Sequence, residues 1–235
     1  MPFWACLKKL SRKILLRSMT FTTLSAILHI VAASIYSLIA ILALRKRGFN
    51  DLVSRLLIGY LVLAILWEGM RAGYKYFYFA LAVPESVALH LLYYGLFLLA
   101  IFFLLLSIAF LRSQNPNWYF WIFGIALFGI VLVLDFNWLN LQDPLYKNPA
   151  FLIERQNISF VLLVIGWGIC VAWASLVTVR CYRQADRIVV KHRISYWAVS
   201  LVFVFGGGLL FLLLSSIFSS ILYILGAITA YYIIT

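Results

Sequence analysis

Charged side chains are scarce in this chain, and acidic ones are the scarcest. Only 11% of the residues are charged and 66% are hydrophobic, and 7 Asp and Glu stand against 19 Lys and Arg. Soluble domains have roughly 25% charged and 45–50% apolar residues, so the composition excludes a soluble domain and predicts an integral membrane protein. In an integral membrane protein, a formal net charge of +12 directs the basic loops to one side of the membrane and interacts with lipid head groups. We therefore expect no nucleic-acid partner.

Cysteines and enzyme signatures are also scarce. Cys6, Cys170 and Cys181 are odd in number and form no Cys-x-x-Cys pair, which argues against a disulfide framework and a zinc site. We expect Cys170 to be a small core residue. The chain has no GxxxxGK[ST], HExxH or GxSxG sequence, and its Gly206–Gly208 triplet lies inside an apolar run, where glycine favours close helix contact. The prediction is that the protein is not an enzyme.

Long apolar runs are abundant. A helix needs about 20 residues to cross the hydrocarbon core, and seven runs come close to this length. They are Phe21–Leu44, Leu52–Gly73, Ser86–Leu111, Trp118–Asp135, Ile158–Val179, Ile194–Leu214 and Ile217–Ile234. The last two are separated only by SSIFSS, interpreted as a tight hairpin because about 40 apolar residues are too many for one crossing. The alternation of a β-barrel is missing. The predicted fold is an all-α membrane protein, a seven-transmembrane helix bundle over residues 21–235.

Lys and Arg are concentrated in alternate links between these runs. The first, third and fifth links hold ten, whereas the second and fourth hold four. Because short basic loops stay in the cytoplasm, we predict an external N-terminus and a cytoplasmic C-terminus. The basic segment 1–20 disagrees, since its five bases would lie outside. It is interpreted either as an interfacial amphipathic helix on anionic head groups or as an extension before a natural start at Met19.

Ionisable side chains inside the runs are costly, and they therefore mark candidate functional sites. Those of this chain fall in the outer third of the membrane, which predicts an externally open pocket for a small polar or amphipathic ligand. The predicted ligand-binding residues are His29, Glu68, Arg71, His90, Tyr94 and Asp135. In the alternative interpretation, Glu68 pairs with Arg71 three residues later, and the histidines only form hydrogen bonds across helices.

Two histidines at similar depth on different helices raise the question of a cofactor. His29 and His90 could be axial ligands of a tetrapyrrole, because imidazole binds iron, but the spacing is a weak signal. We expect no cofactor and no metal. Retinal is set aside, since its Schiff base requires a lysine within a span, and the seven runs contain none.

The longest link, Phe136–Asn157, combines turn-forming and apolar residues. Pro144 and Pro149 mark turns, whereas Trp138 and Phe151 are too apolar to extend freely into water. We expect one of two arrangements. The link either folds back as a lid over the bundle mouth, with a short helix, or lies at the membrane interface with its aromatic residues as anchors.

Four segments resemble a known family. The second run contains LAILWEGMRAGY, the third reads LHLLYYGLFLLAIFFLLLSIAF, YRQADRIVVKHRISYW follows the fifth, and the seventh ends in LGAITAYYIIT. In this order they are similar to the N-terminal seven-transmembrane sensory region of bacterial histidine kinases and related receptors. The resemblance covers nearly all of Phe21–Thr235 and rests on helix composition rather than on a catalytic signature.

The resemblance implies a sensory module of the bacterial inner membrane, acting in a two-component system. It would bind a small ligand in the outer leaflet and pass the signal to a cytoplasmic signalling domain beyond Thr235 or to a partner protein. The residues implied in signal transmission are Arg183, Arg187, Lys191, His192 and Arg193. A homodimer or a larger membrane complex is a further expectation. The alternatives are a structural or accessory subunit of a membrane complex, associated with pigment or haem, and a transporter.

Overall fold

The computed structural model describes the backbone of residues 3–81, 85–112, 122–130, 133, 149–214 and 218–235. Side chains are described within 24–73, 92–112, 122–130, 133, 160–213 and 218–235. The helices are α1 (Phe3–Arg47), α2 (Leu52–Leu81), α3 (Glu85–Arg112), α4 (residues 122–130), α5 (Pro149–Gln184), α6 (Ile188–Leu214) and α7 (Phe218–Ile234). The described ranges contain no strand, and the predicted all-α class is confirmed.

Five helices contain a stretch that is long and apolar enough to cross a membrane. The stretches are Leu24–Arg47, Leu52–Gly73, Leu92–Arg112, Phe160–Gln184 and Ile188–Leu213. The chain is therefore a multi-pass helical membrane bundle. Helix α7 is apolar but has 17 residues, about 25 Å at about 1.5 Å per residue. Helix α4 is described over residues 122–130 only, so seven crossings stay a prediction.

Helices α5 and α6 begin earlier than the apolar runs predicted. Helix α5 begins at Pro149 rather than Ile158, and α6 begins at Ile188 rather than Ile194. Proline suits the first position of a helix, because its fixed φ is already helical and no intrahelical partner is needed there for its missing N–H. The end of the long link is thus part of α5. Residues 136–148, which carry most of the predicted lid, lie outside the described residues.

The N-terminal segment 1–20 is helical from Phe3 and continuous with the first span. Helix α1 has 45 residues, about 67 Å at about 1.5 Å each, which is more than twice a hydrocarbon core of about 30 Å. The side chains before Leu24 lie outside the described residues. Their contact with head groups, and the alternative start at Met19, stay predictions.

A four-residue turn joins α1 to α2. Gly48 has a φ of 64°, a left-handed conformation that glycine adopts without strain, and its amide donates to the Leu44 carbonyl at 2.9 Å. Asp51 caps α2, because its Oδ1 accepts the Ser54 amide at 3.3 Å,. Burial by itself would raise the pKa of Asp51, but hydrogen bonding by Ser54 and the charge of Arg47 outweigh it and hold this pKa below its ordinary value.

Six helices form a closed ring. Along the ring α1 packs on α2, α2 on α3, α3 on α5, α5 on α6, α6 on α7, and α7 on α1. Contacts between α2 and α7 and between α3 and α6 cross its interior. Helix α4 packs against α3 and α5, since the Tyr94 and Phe128 rings lie 5.3 Å apart and Leu127 lies against Gly166.

Helix α3 is surrounded by its neighbours. Phe97, Leu99, Phe103, Leu105 and Leu106 have no exposed surface. These positions point in different directions around a helix, so every side of this stretch of α3 is covered by other parts of the protein. A helix that is apolar all round belongs in the interior of a large bundle. On α5, Cys170 is fully buried. The prediction that it is a small core residue is confirmed.

Helix α7 packs on α6 through small residues. A Cβ added to Gly226 would lie 2.6 Å from Val204 Cγ2 and 3.2 Å from the Ser200 carbonyl oxygen. The Ser200 hydroxyl donates to the Gly226 carbonyl at 2.7 Å. In a membrane, such close packing and hydrogen bonding hold helices together, because lipid is as apolar as the side chains. The last two runs form separate helices, α6 ending at Leu214 and α7 beginning at Phe218; residues 215–217 of the predicted hairpin lie outside the described residues.

The ring has two distinct ends. We call the end at which α1, α3, α5 and α7 finish the basic end. It carries Arg45, Lys46, Arg47, Arg55, Arg112, Arg180, Arg183, Arg187, Lys191 and Arg193. The opposite end, at which α7 begins, is called the network end, because hydrogen-bonded polar side chains of α1, α2 and α7 meet near it.

Candidate functional site

Four polar side chains from three helices meet inside the bundle near the network end. They are His29 of α1, Glu68 and Arg71 of α2, and Ser220 of α7, and we call them the polar network. Their exposed fractions are 5%, 0%, 8% and 4%, respectively. Glu68 and Arg71 share one face of α2 because they are three residues apart. The network therefore joins the three helices that meet at this side of the ring.

Glu68 is the centre of the polar network. His29 Nδ1 lies 2.6 Å from Glu68 Oε2, and the Ser220 hydroxyl donates to the same oxygen at 3.2 Å. Arg71 Nη1 donates to Ser220 Oγ at 2.9 Å and lies 3.5 Å from Glu68 Oε1. A hydroxyl can donate once and also accept, so Ser220 serves both charged residues at the same time.

One arrangement of protons satisfies these contacts. We assign the proton of His29 to Nδ1, from which it is donated to Glu68 Oε2, and the Ser220 proton to the 3.2 Å bond with the same oxygen. The Glu68 carboxyl group and the Arg71 guanidinium lie next to each other, and pairing of this kind is how ionisable groups are accommodated inside a bilayer.

Aromatic rings hold the Arg71 guanidinium in place. Its Cζ lies 4.7 Å from the centre of the Trp67 ring and 5.1 Å from that of Phe211. Trp67 is itself fixed, because its Nε1 donates to the Leu92 carbonyl at 2.9 Å and its ring packs edge-on against Tyr223 at 5.2 Å. Guanidinium groups stack well on aromatic faces while they pair with a carboxylate. Arg71 thus links α2 to α6 through Phe211 and to α7 through Ser220.

Three of the six predicted pocket residues come together in the polar network. Glu68 lies beside Arg71, and His29 makes a hydrogen bond to it across helices. This is the geometry that the alternative interpretation of the sequence described. Ligand binding by these residues stays a prediction.

Of the other predicted pocket residues, the structure describes Tyr94, which faces away from this network. The Tyr94 ring faces Phe128 of α4, whereas the preceding Tyr93 packs on Phe211 at 5.8 Å, the ring that also contacts Arg71. Neighbouring residues of a helix point about 100° apart, so only one of this tyrosine pair can face α6. Two predicted residues lie outside the described residues, namely the His90 side chain and Asp135.

Sequence analysis missed Ser220. The SSIFSS segment was interpreted as a hairpin, but its last serine already belongs to the first turn of α7. A buried serine next to a buried ion pair is a common hydrogen-bonding partner between membrane helices. The usable signal was that Ser219 and Ser220 lie near the start of the apolar run Ile217–Ile234, where a hydroxyl can hydrogen-bond to another helix.

Three buried tyrosines occupy the same helices as the polar network. Tyr36 is on α1, Tyr60 on α2 and Tyr223 on α7, and each is almost fully buried. Tyr36 follows His29 by seven residues, which places both on one face of α1. Among the described residues, neither the Tyr60 hydroxyl nor Glu68 Oε1 has a hydrogen-bond partner. Buried polar atoms without partners are uncommon in native proteins, and these two give the interior spare hydrogen-bonding capacity.

One of the predicted transmission residues connects the basic end to α7. Arg193 Nη2 donates to the Ile233 carbonyl at 3.4 Å, and its guanidinium lies 4.6 Å from the centre of the Phe110 ring. Through this bond Arg193 joins the beginning of α6 to the last turn of α7. Within the described ranges, the remaining four make no hydrogen bond, ion pair or ring contact to α7. They are Arg183, Arg187, Lys191 and His192.

No protein-family model matches this chain, and no curated protein and no solved structure matches it. The resemblance to the seven-transmembrane sensory region therefore rests on the four sequence segments. In the part of the chain that the structure describes, no group of three or more His, Cys, Asp or Glu could hold a metal ion. The tetrapyrrole alternative at His29 or His90, like the expectation of no cofactor, stays a prediction.

Proposed function

We propose that the chain is a membrane-embedded sensory module in which the polar network receives the input and α7 carries the output. The observation that supports this best is the position of Ser220. It is the third residue of α7, and it accepts a hydrogen bond from Arg71 while donating one to Glu68. The position of the first turn of α7 therefore depends on the two charged residues of α2.

The input would be a small polar or amphipathic ligand that enters from the network end. Glu68 Oε1 has no hydrogen-bond partner among the described residues and lies 3.5 Å from Arg71 Nη1, so a ligand donor could bind this oxygen. A ligand acceptor could equally replace Ser220 on Arg71. In both cases the ligand would bind one arrangement of the polar network more tightly than another. A ligand shifts an equilibrium only when its affinity for the two states differs in this way.

The output would leave at the basic end. Helix α7 packs tightly on α6 at Gly226, and its last turn is held by Arg193 of α6, so a displacement at Ser220 would move the α6–α7 pair. Small helix shifts of this kind are a common switching movement. The basic end would face the cytoplasm by the positive-inside rule. The signal would then pass to a cytoplasmic signalling domain or partner at the bacterial inner membrane.

A distance measurement across the basic end tests this proposal. Spin labels are placed on cysteines introduced at Tyr232 and Phe49, which are 83% and 56% exposed, after the native cysteines have been replaced. We expect Ser220→Ala to shift the distance distribution by about 1–2 Å or to broaden it, since helix shifts in switching proteins have this size. Thr178→Ala is the matched control, because Thr178 is also buried but its hydroxyl donates to the Ala174 carbonyl of its own helix, α5.

The control variant is expected to leave the distribution unchanged. If Ser220→Ala gives the wild-type distribution as well, α7 does not report the state of the network. A structural subunit of a larger membrane complex would then be the better proposal. Thermal unfolding of both variants is measured in parallel, so that a loss of stability is not taken for a displacement of α7.

The proposed orientation has its own test. A cysteine introduced at Asp186, between α5 and α6, should react with a membrane-impermeant maleimide only after the membrane has been opened. A cysteine at Asn148 should react in intact cells. The reason is that, with segment 1–20 set aside, ten bases lie at the basic end and four in the opposite links, and short basic loops stay inside. The reverse labelling pattern would invert the proposed direction of signalling.

A further inference from the structure

Apolar side chains are unusually exposed at the basic end. Among the described residues, the most exposed large hydrophobic side chains are Tyr232, Val189 and Ile188, at 83%, 79% and 72%. All three lie at the basic end, where a bundle that simply projected into water would favour polar residues. Ile188 and Val189 form the first two positions of α6. These side chains therefore need a partly apolar environment at this level.

Basic residues lie on both sides of the exposed aliphatic pair along the chain. Arg183 lies in the last turn of α5, Arg187 directly precedes α6, and Lys191 follows Arg187 by four residues, with its amide donating to the Arg187 carbonyl at 3.1 Å. The segment from Arg180 to Arg193 contains five Lys and Arg and a single acidic residue, Asp186. Its strong positive charge attracts anionic groups.

The length of α6 places this surface in the head-group region. The apolar stretch Ile188–Leu213 has 26 residues, about 39 Å, which exceeds a hydrocarbon core of about 30 Å by roughly six residues. Lys191 and Arg193 lie near the beginning of α6, and charged side chains are costly inside the core. The excess length is therefore assigned to this beginning, and the first turn of α6 projects beyond the core. At this depth aliphatic side chains reach the ends of the acyl chains nearest the head groups, and long basic side chains extend to the phosphates.

We propose that Arg183, Arg187, Ile188, Val189 and Lys191 form a binding surface for an anionic phospholipid, which we call the α5–α6 surface. The cations contact the lipid phosphate, and the aliphatic pair lies between the acyl chains. An acidic protein would match the charge only, because Ile188 and Val189 lie beside the cations at membrane level, and such a partner would have to displace lipid to cover them. This inference is independent of the sensory role.

Lipid retention by the purified full chain tests this surface. The protein is prepared in nanodiscs of phosphatidylcholine with added phosphatidylglycerol, and native mass spectrometry measures the ratio of the two lipids that stay bound. We expect wild type to retain phosphatidylglycerol preferentially. The triple variant Arg183→Gln, Arg187→Gln and Lys191→Gln is expected to lower this ratio by up to about a hundredfold, since each of the three bases contributes about a factor of five near an anionic surface.

The matched control removes three other bases from the same end of the bundle. Arg45→Gln, Lys46→Gln and Arg47→Gln change the net charge by the same amount but leave the α5–α6 surface intact, so the lipid ratio should stay within about twofold. A second variant, Ile188→Ser with Val189→Ser, keeps the charge and should also reduce retention. The proposal is overturned if the α5–α6 triple variant keeps the wild-type lipid ratio. It is also overturned if the control triple variant lowers the ratio by as much, because the lipid would then be attracted by the positive charge of the whole basic end and not by the α5–α6 surface.

Discussion

Replacing Glu68 by alanine is expected to lower the free energy of unfolding by about 3–5 kcal/mol, the usual cost of breaking a buried ion pair by removing one partner. Glu68 is fully buried and lies 3.5 Å from the buried Arg71 guanidinium, and it also accepts hydrogen bonds from His29 and Ser220. The substitution removes the negative charge and both bonds together. Reversible unfolding in mixed detergent micelles measures the change.

A compensating variant separates the charge from the packing. Glu68→Leu combined with Arg71→Met removes both charges and keeps most of the side-chain volume, so it should be more stable than Glu68→Ala alone, because no charge remains buried. Glu68→Gln should fall between Glu68→Ala and wild type, since an amide oxygen can still accept from His29. A loss below about 1 kcal/mol for Glu68→Ala, the range of exposed pairs, would show that the ion pair is not desolvated.

Replacing Gly226 by valine is the second change with a large expected effect. Its Cβ would lie 2.6 Å from Val204 Cγ2 and 3.2 Å from two backbone atoms of α6, the Ser200 carbonyl oxygen and the Val204 amide nitrogen. Backbone atoms of a packed helix cannot rotate away as a flexible side chain can. We expect a loss at the upper end of the roughly 1–3 kcal/mol typical of overpacking, measured by thermal unfolding in detergent.

Gly168→Val is the control for Gly226→Val. A Cβ at Gly168 of α5 would meet no atom within 4 Å, so this variant should unfold close to wild type. Valine is also a slightly better helix former than glycine, so a small gain in stability is consistent with the argument. Equal losses at the two positions would mean that α6 and α7 do not require the close approach at Gly226.

The two sets of variants also distinguish structure from signalling. Gly226→Val should disturb the α6–α7 pair directly, whereas Ser220→Ala leaves that contact intact and removes only the hydrogen bonds of Ser220 to α2. If both shift the spin-label distances at the basic end, the network and the helix pair belong to one connected unit. Connection of this kind is what a sensory role for α7 requires.

The sequence by itself determined that the fold is all-α and that one end of the bundle is basic. Helical spans follow from the length and continuity of apolar segments, and the basic end follows from the links that carry Lys and Arg, because both properties are local. Glu68, Arg71 and His29 could also be recognised without a structure. An ionisable residue within an apolar run is visible in the sequence, and its cost in the membrane demands a partner.

Only the tertiary structure decided which partners these residues have. Ser220 lies 152 positions from Glu68, and nothing local in SSIFSS shows that α7 returns to α1 and α2. The direction of Tyr94 toward α4 and of Tyr93 toward α6 depends on the rotation of α3 in its ring of neighbours. The link from Arg193 to Ile233 joins two helix ends that are 40 residues apart. Which helices are neighbours, and how each helix is rotated about its axis, depends on close packing of side chains from the whole chain. Composition, in contrast, is a property of one segment at a time.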